Sequence, residues 1–278
     1  NNDDFIVNIK RLNVKETSGI ELKKLQGNFH IASTGINVED FEIFVGDSKF
    51  FFADLNLDFN DWNGLSNKIK TVPLDITLKK GSYITLSDLG PFLSGFKNMH
   101  ERFNLDVSLN GNIEDLSINR FYITHNSKPL KISATGALIG IKKPQSAQIR
   151  LNDLILTANA DDINTILAAA NIGNPNLRSK IAQLGNFSIN GNFNGQPLDA
   201  IFEGDINTAL GNANMLLDYT IPYGNNAIAL KGNVKTSNIE LGKITANNKL
   251  GSVAGEVAFD VNINKNNYNG FVDGYINH

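Results

Sequence analysis

The chain has 278 residues, no Cys, 24 Gly, 7 Pro, 41 Asn and a formal net charge of −3. It therefore has no disulfide framework, thiolate metal site or cysteine nucleophile, and it lacks the basic excess that grips a phosphate backbone, so nucleic-acid binding is not expected. Hydrophobic residues at 41% are enough to fold, and so much Asn and Gly argues against a helical bundle. No apolar run approaches the roughly 20 residues that span a bilayer, and no signal peptide is visible. The chain begins at Asn1 and stops in mid-pattern at Tyr275-Ile276, as expected for a piece of a longer protein whose anchor or export signal lies elsewhere.

In chain order the dominant signal is period-2 alternation, broken at intervals by polar doublets. Val7, Ile9, Leu12 and Val14 are split by Lys10-Arg11; Ile20, Leu22, Leu25 and Gly27 by Lys23-Lys24; Ile36, Val38, Phe41 and Ile43 by Glu39-Asp40. Phe51, Ala53, Leu55, Leu57 and Phe59 then alternate with Phe52, Asp54, Asn56 and Asp58. Trp62, Leu65 and Ile69 suggest a helical turn or two, and Ser87 a cap for a short helix from Asp88 to Leu93. Strands follow at Leu105, Val107, Leu109, at Ile118, Phe121, Ile123 (split by Asn119-Arg120), and at Ile149, Leu151, Leu154, Leu156 (split by Asn152-Asp153). Asp161 is placed to cap a helix from Asp162 to Ala170, and Pro175 opens a second with Leu177, Ile181 and Leu184. Phe187 and Ile189, then Met215, Leu217, Tyr219 and Ile221, resume the alternation. Ser237 or Asn238 precedes a short helix over Ile239–Ile244, and Val253 to Ile263 forms the cleanest alternating strand. The doublets read as β-bulges, which keep the apolar set on one face and curl a sheet; a tight turn is the alternative.

The short helical elements at Asp88, Asp162 and Glu240 lie at near-equal intervals, and Asn-Gly-Asn-apolar recurs at 110–113 and 190–193. This predicts one continuous body of degenerate repeats of about 75 residues, divided at 1–86, 87–160, 161–237 and 238–278. Catalytic constellations are missing. His30, His100, His125 and His278 have no partners at metal-ligand spacing, and His30 is expected to face solvent. The acid pairs at Asp3-Asp4, Glu39-Asp40, Glu114-Asp115 and Asp161-Asp162 fall mostly at strand breaks and helix starts. Asn186-Phe187-Ser188 fits a glycosylation triplet, a motif too short to weigh. No enzyme, cofactor or metal is expected. The one-sided strands outnumber the helices able to cover them, which leaves a barrel, a second sheet or a curl around a ligand.

Residues 202–213 (Phe-Glu-Gly-Asp-Ile-Asn-Thr-Ala-Leu-Gly-Asn-Ala), and Gly232 to Ile244 followed by Asn248-Lys249-Leu250-Gly251-Ser252-Val253, resemble the translocation and assembly module (TamB) family of Bacteroidetes-type bacteria. Asn207 stands where that family has Lys, and Ile239-Glu240 where it has Phe-Asn; the unit from Ser87 to Ile123 is similar to the broader AsmA-like repeat. The resemblance covers 185–262 well and 20–140 more loosely. It implies an all-β fold, an elongated, mostly antiparallel sheet curled into an open trough (a repeating β-groove) with a few short helices. It also implies a periplasmic, inner-membrane-anchored protein that carries phospholipid, supports outer-membrane biogenesis and protein secretion, and meets a BamA-superfamily barrel.

Parity assigns the trough lining to Phe51, Leu55, Leu57, Phe59, Leu105, Val107, Leu109, Phe187, Ile189, Met215, Leu217, Val257, Phe259, Val261 and Ile263. Their expected role is hydrophobic contact with acyl chains, each buried CH₂ contributing about 0.8 kcal/mol. The alternatives are a strand-augmenting scaffold for outer-membrane proteins and, more remotely, a glycan-binding β-repeat. The aromatics Phe52, Trp62, Tyr122 and Tyr268 are scattered for the latter unless folding gathers some of them.

Overall fold

A computed structural model of the chain describes residues 4–16, 20–62, 71–143, 146–172, 175–222, 227–245, 247, 249, 251–264 and 267–277. The turns expected around Leu65 and Ile69, His278, and Asn248 and Leu250 of a quoted string lie outside them. The fold is all-β and antiparallel, and it divides into two compact units, residues 1–141 with 168–172 and residues 142–167 with 173–278.

The first unit holds β1 (Phe5–Lys15), β2 (Glu21–Ala32), β3 (Gly35–Val45), β4 (Ser48–Asp58), β5 (Leu74–Leu78), β6 (Tyr83–Thr85), β7 (Arg102–Gly111), β8 (Asp115–His125) and β9 (Lys131–Ile139). They pair in chain order, except that β5 and β6 share the slot between β4 and β7. The second unit is a plain meander of β10 (Gln148–Asn159), β11 (Asn186–Gln196), β12 (Asp199–Thr208), β13 (Gly211–Thr220), β14 (Ala227–Glu240), β15 (Ser252–Asn264) and β16 (Asn267–Asn277). Two-residue turns such as Gly46-Asp47, Pro197-Leu198 and Ala209-Leu210 leave consecutive strands no choice but to pair antiparallel.

All five polar doublets insert one extra residue into a strand. Ile9 to Leu12 spans three steps while its partners Gly27 to Leu25 span two. The same mismatch marks Lys23-Lys24 on β2, Asp40 on β3, Asn119-Arg120 on β8 and Asn152-Asp153 on β10. Asp40 and Asp153 adopt left-handed φ of 48° and 50°, a conformation Asp tolerates better than most residues. The extra residue absorbs the polar doublet, so Ile9 and Leu12 point to the same face despite their odd spacing. A sixth bulge, at Ala53 on β4, interrupts a stretch that alternates without a break in sequence: Phe52 pairs with Leu78 and Asp54 with Thr77.

The helical elements stand where expected, with different boundaries and caps. Leu86–Leu89 is a 3-10 turn entered from Thr85, with no side-chain cap from Ser87. Asp88 instead turns back on the β3–β4 hairpin, accepting from the Asp47 amide at 2.9 Å and the Ser48 hydroxyl at 2.5 Å. A second 3-10 turn, Ser94–Phe96, buries Phe96. Helix α1 (Ala160–Ala169) is capped by Asn159, whose side-chain oxygen accepts from the Asp161 amide at 2.9 Å, and not by Asp161. Helix α2 (Pro175–Ala182) starts on its proline, as its fixed φ favours. Ile239 and Glu240 still belong to β14; helix α3 is only Leu241–Thr245, and Ser237-Asn238 is a further bulge. Four strands separate the 3-10 turns from α1, and four separate α2 from α3.

Candidate functional site

Register places the apolar residues of each unit in rows across its strands. In the first unit one row runs Val7, Phe29, Val38, Leu55, Ile76, Leu109, Ile118. A parallel row runs Phe5, Ile31, Ile36, Leu57, Leu74, Gly111, Leu116. Leu105 and Val107 sit on the same face opposite Ile123 and Phe121. Much of this face is closed: Val38, Phe41, Leu74, Val107 and Ile118 are each 8% exposed or less. Phe29, Phe41 and Phe52 cover one another, with ring centroids 5.6 and 4.9 Å apart. Gly27 makes room for them, since a Cβ there would meet the Phe41 ring at 3.0 Å.

In the second unit the rows are Leu151, Phe193, Phe202, Leu217, Gly232, Phe259, Val272 and, two residues along, Gly191, Gly204, Met215, Val234, Val257, Gly274. Ile189, Val261 and Ile263 fall on the same face. Here Ile189, Met215, Leu217, Val257, Phe259, Val261 and Ile263 are all half-buried, neither sealed from solvent nor fully open to it. Gly191 and Gly204 stand opposite each other, and a Cβ on either would collide with the carbonyl of Glu203 or Asn190 respectively. With no side chain on either, the two backbones approach closely at this point.

Two of the expected lining residues are placed otherwise, and a third is on the expected face but sealed. The bulge at Ala53 turns Phe51 to the polar face, where its ring meets Phe44 at 5.7 Å; Phe50 and Phe52 take the apolar positions. Phe59 lies one residue past β4, 8% exposed, with its ring tilted against that of Trp62 at 4.9 Å. Phe187 is on the apolar face but 8% exposed, packed where the strand ends meet the helical connection, beside Ala158 and Ala160. Sequence reasoning left out Phe193 and Phe202, which face each other across β11 and β12. The alternation Asn192-Phe193-Asn194 was the signal for the first of them.

The opposite face is polar and rich in amides. Asn190, Asp205, Asn214 and Lys235 form one row, with Asn214 donating to Asp205 at 3.0 Å. Asn8 bonds Asn28, and Asn37 bonds Asn56, across neighbouring strands. His30 is exposed, as expected, 4.0 Å from Asp4. His125 is 9% exposed and its Nδ1 accepts from the Ser127 and Lys128 amides, which places the ring's remaining proton on Nε2. Among the described residues no three His, Asp or Glu gather as they would around a metal ion, and no helix is long and apolar enough to cross a membrane.

The chain matches no protein-family model, no curated protein and no solved structure. The resemblance to the translocation and assembly module family rests on the strings themselves. In the fold they form the β12–β13 hairpin and the bulged end of β14 running into α3.

Proposed function

We propose that the apolar face, above all in the second unit, holds lipid acyl chains, as a segment of a phospholipid-carrying groove of the TamB and AsmA-like type. On this reading the full protein is periplasmic, inner-membrane anchored and paired with a BamA-superfamily barrel, and the chain is not an enzyme. The observation that carries the reading is the half-burial of Met215 and Leu217 on β13 and of Val257, Phe259, Val261 and Ile263 on β15, all on one face of the β13–β15 run. A packed core would bury these side chains almost fully, and ordinary soluble surfaces do not keep so large an apolar patch accessible without a partner. An acyl chain supplies the missing contacts with no directional chemistry, at about 0.8 kcal/mol per buried CH₂. No side chain of the row is polar, so the head group belongs outside it.

Native mass spectrometry of the gently purified chain, followed by lipid extraction, should find co-isolated phospholipid. Val257→Glu and Leu217→Asp should lose that lipid while keeping the β-sheet circular dichroism signal. A lipid-free protein that also fails to take up a photoactivatable fatty acid would sink the proposal.

One observation favours strand augmentation as a second reading. β16 stands at the sheet edge, paired with β15 through eleven consecutive positions without a bulge. It has no Pro, a single charge at Asp273, and exposed Tyr268, Phe271 and Val272. Sheet edges are normally blunted by charge, Pro or bulges; this strand carries one charge, no Pro and no bulge, so its free side suits pairing with a further strand, whether of the same chain or of a partner.

A further inference from the structure

The polar face of the first unit carries a feature that the groove does not use. A row of directly paired residues runs Lys49, Tyr83, Asn104, Thr124, Lys131 across β4, β6, β7, β8 and β9. Beside it, Asp106 faces Tyr122. A cleft of about 480 Å³ opens here, lined by Lys80, Gly81, Asn104, Leu105, Asp106, Tyr122 and Thr124. The volume is in the range of small-ligand sites.

We propose that this cleft binds an acidic sugar, a uronate unit of a polysaccharide, with Tyr122 as the platform under the pyranose ring. Three observations converge on that ligand. Tyr122 is 38% exposed, and Lys131 covers its ring at 5.4 Å from the β9 side, leaving the β7 side to the cleft. A pyranose ring has an apolar C–H face of matching size, which an aromatic ring shields well. Next, the Asn104 amide, the Thr124 hydroxyl and the Lys80 ammonium make no side-chain hydrogen bond within the described residues, although they line one cavity. Asp106 gives one oxygen to Arg120 at 2.6 Å and keeps the other. The second Asp106 oxygen and the Asn104 carbonyl accept while Lys80, the Asn104 amide nitrogen and the Thr124 hydroxyl donate, a mixed set that matches sugar hydroxyls, which do both. Finally, Arg120 neutralises Asp106, and four further cations, Lys49, Lys80, Arg102 and Lys131, lie on or beside the row, three of them over the aromatic rings of Phe44, Tyr83 and Tyr122. This is a local cationic field on a chain of net charge −3, and it selects a sugar that bears a carboxylate.

The site lies on the face opposite the apolar rows, so it stands or falls independently of lipid binding. Titration calorimetry on the full chain would use tetragalacturonate, neutral cellotetraose and an oligo-dT of the same charge as the acidic tetrasaccharide. Tetragalacturonate should bind, cellotetraose much more weakly, and oligo-dT hardly at all. Tyr122→Ala should weaken tetragalacturonate about five-fold and Tyr122→Phe far less, because the ring and not the hydroxyl makes the platform. Lys80→Gln should flatten the dependence of affinity on salt. Both Tyr122 variants should melt like the parent, since the ring is partly exposed. Binding of oligo-dT as tight as tetragalacturonate would replace the sugar site with a general anion surface. Equal binding of cellotetraose would overturn the acidic assignment, and an unchanged affinity in Tyr122→Ala, or no binding at all, would overturn the site.

Discussion

The two units share one strand grammar and use it differently. Among the described residues, the first unit contains thirteen of the nearly inaccessible hydrophobic side chains, nine of them Phe, Leu or Ile, such as Phe41, Leu74, Leu86 and Phe96. The second contains seven, and four of those are alanines. The contrast has a local cause. In the first unit, the Phe29–Phe41–Phe52 cluster fills the face, and the 3-10 turns between β6 and β7 add Leu86 and Phe96. In the second, Gly191, Gly204, Gly232 and Gly274 stand in the rows where large side chains would interlock. Alternation decides which face is apolar; the residues at these few row positions decide whether that face becomes a core or an accessible surface.

The largest test of this contrast is truncation on each apolar face. Phe41→Ala should cost about 3–5 kcal/mol, the range for a buried aromatic. Leu217→Ala should cost about 1 kcal/mol, because part of its surface is already wet. Urea titrations followed by circular dichroism would compare them, and equal losses would mean that the second unit is packed like the first. Next in size is Gly204→Val, whose new side chain must push against the Asn190 carbonyl and the Gly191 backbone. It should destabilise by about 1–3 kcal/mol, whereas Gly251→Val, in open space within the same unit, should be nearly neutral. A harmless Gly204→Val would show that the close backbone approach there does not require glycine.

Much of this was legible in the residues. Lys10-Arg11 or Asn152-Asp153 can stay out of an apolar face only if the strand gains a residue, so the five bulges were written in the doublets. The bulge at Ala53 carried no such mark. Phe50, Phe51 and Phe52 are equally apolar, and either parity leaves an aromatic on the apolar face; the choice falls to pairing with β5 and to the Phe41 ring. The helix caps were misassigned for a similar reason. Asn159 and Asp161 are both good capping residues two positions apart, and Ser87 is a good capping residue that makes no cap because the chain enters the turn one residue earlier, from Thr85. The half-exposure of the second unit could not be read at all, because accessibility depends on what lies across the face and not on the strand's own alternation. The Tyr122 cleft is not legible in the sequence, because its lining comes from the Lys79–Ser82 turn, β7 and β8, which only the fold brings together.

The Asp88 latch offers a smaller test, confined to the first unit. Its carboxylate holds the Asp47 amide and the Ser48 hydroxyl, and the Ser48 oxygen in turn accepts from the Thr85 amide at 2.9 Å. Asp88→Asn keeps one acceptor and loses the charge-assisted bonds, so about 1 kcal/mol should go. Amide hydrogen exchange should speed up at Asp47 and Thr85 and stay unchanged in β11–β15. Faster exchange in those strands as well would show that the units do not differ in the way their packing suggests.

The smallest expected effect concerns Tyr219, which lies on the apolar face of β13 between Ala200 and Leu230 and donates its hydroxyl to the Pro197 carbonyl at 3.0 Å. Burial, and then the nearby Asp199 carboxylate, push its pKa above the ordinary 10.0. The folded chain thus prefers the neutral phenol more strongly than the unfolded chain does. That contribution is complete below pH 10, where both states are protonated, and it is lost as pH rises through the folded-state value. The urea midpoint should fall between pH 9 and pH 11, and Tyr219→Phe should make that fall shallower, because phenylalanine has no proton to lose. The comparison sharpens the picture of the second unit: a phenol on a fully wet surface would titrate like free tyrosine, and a slope unchanged by Tyr219→Phe would place this end of the apolar face in open water.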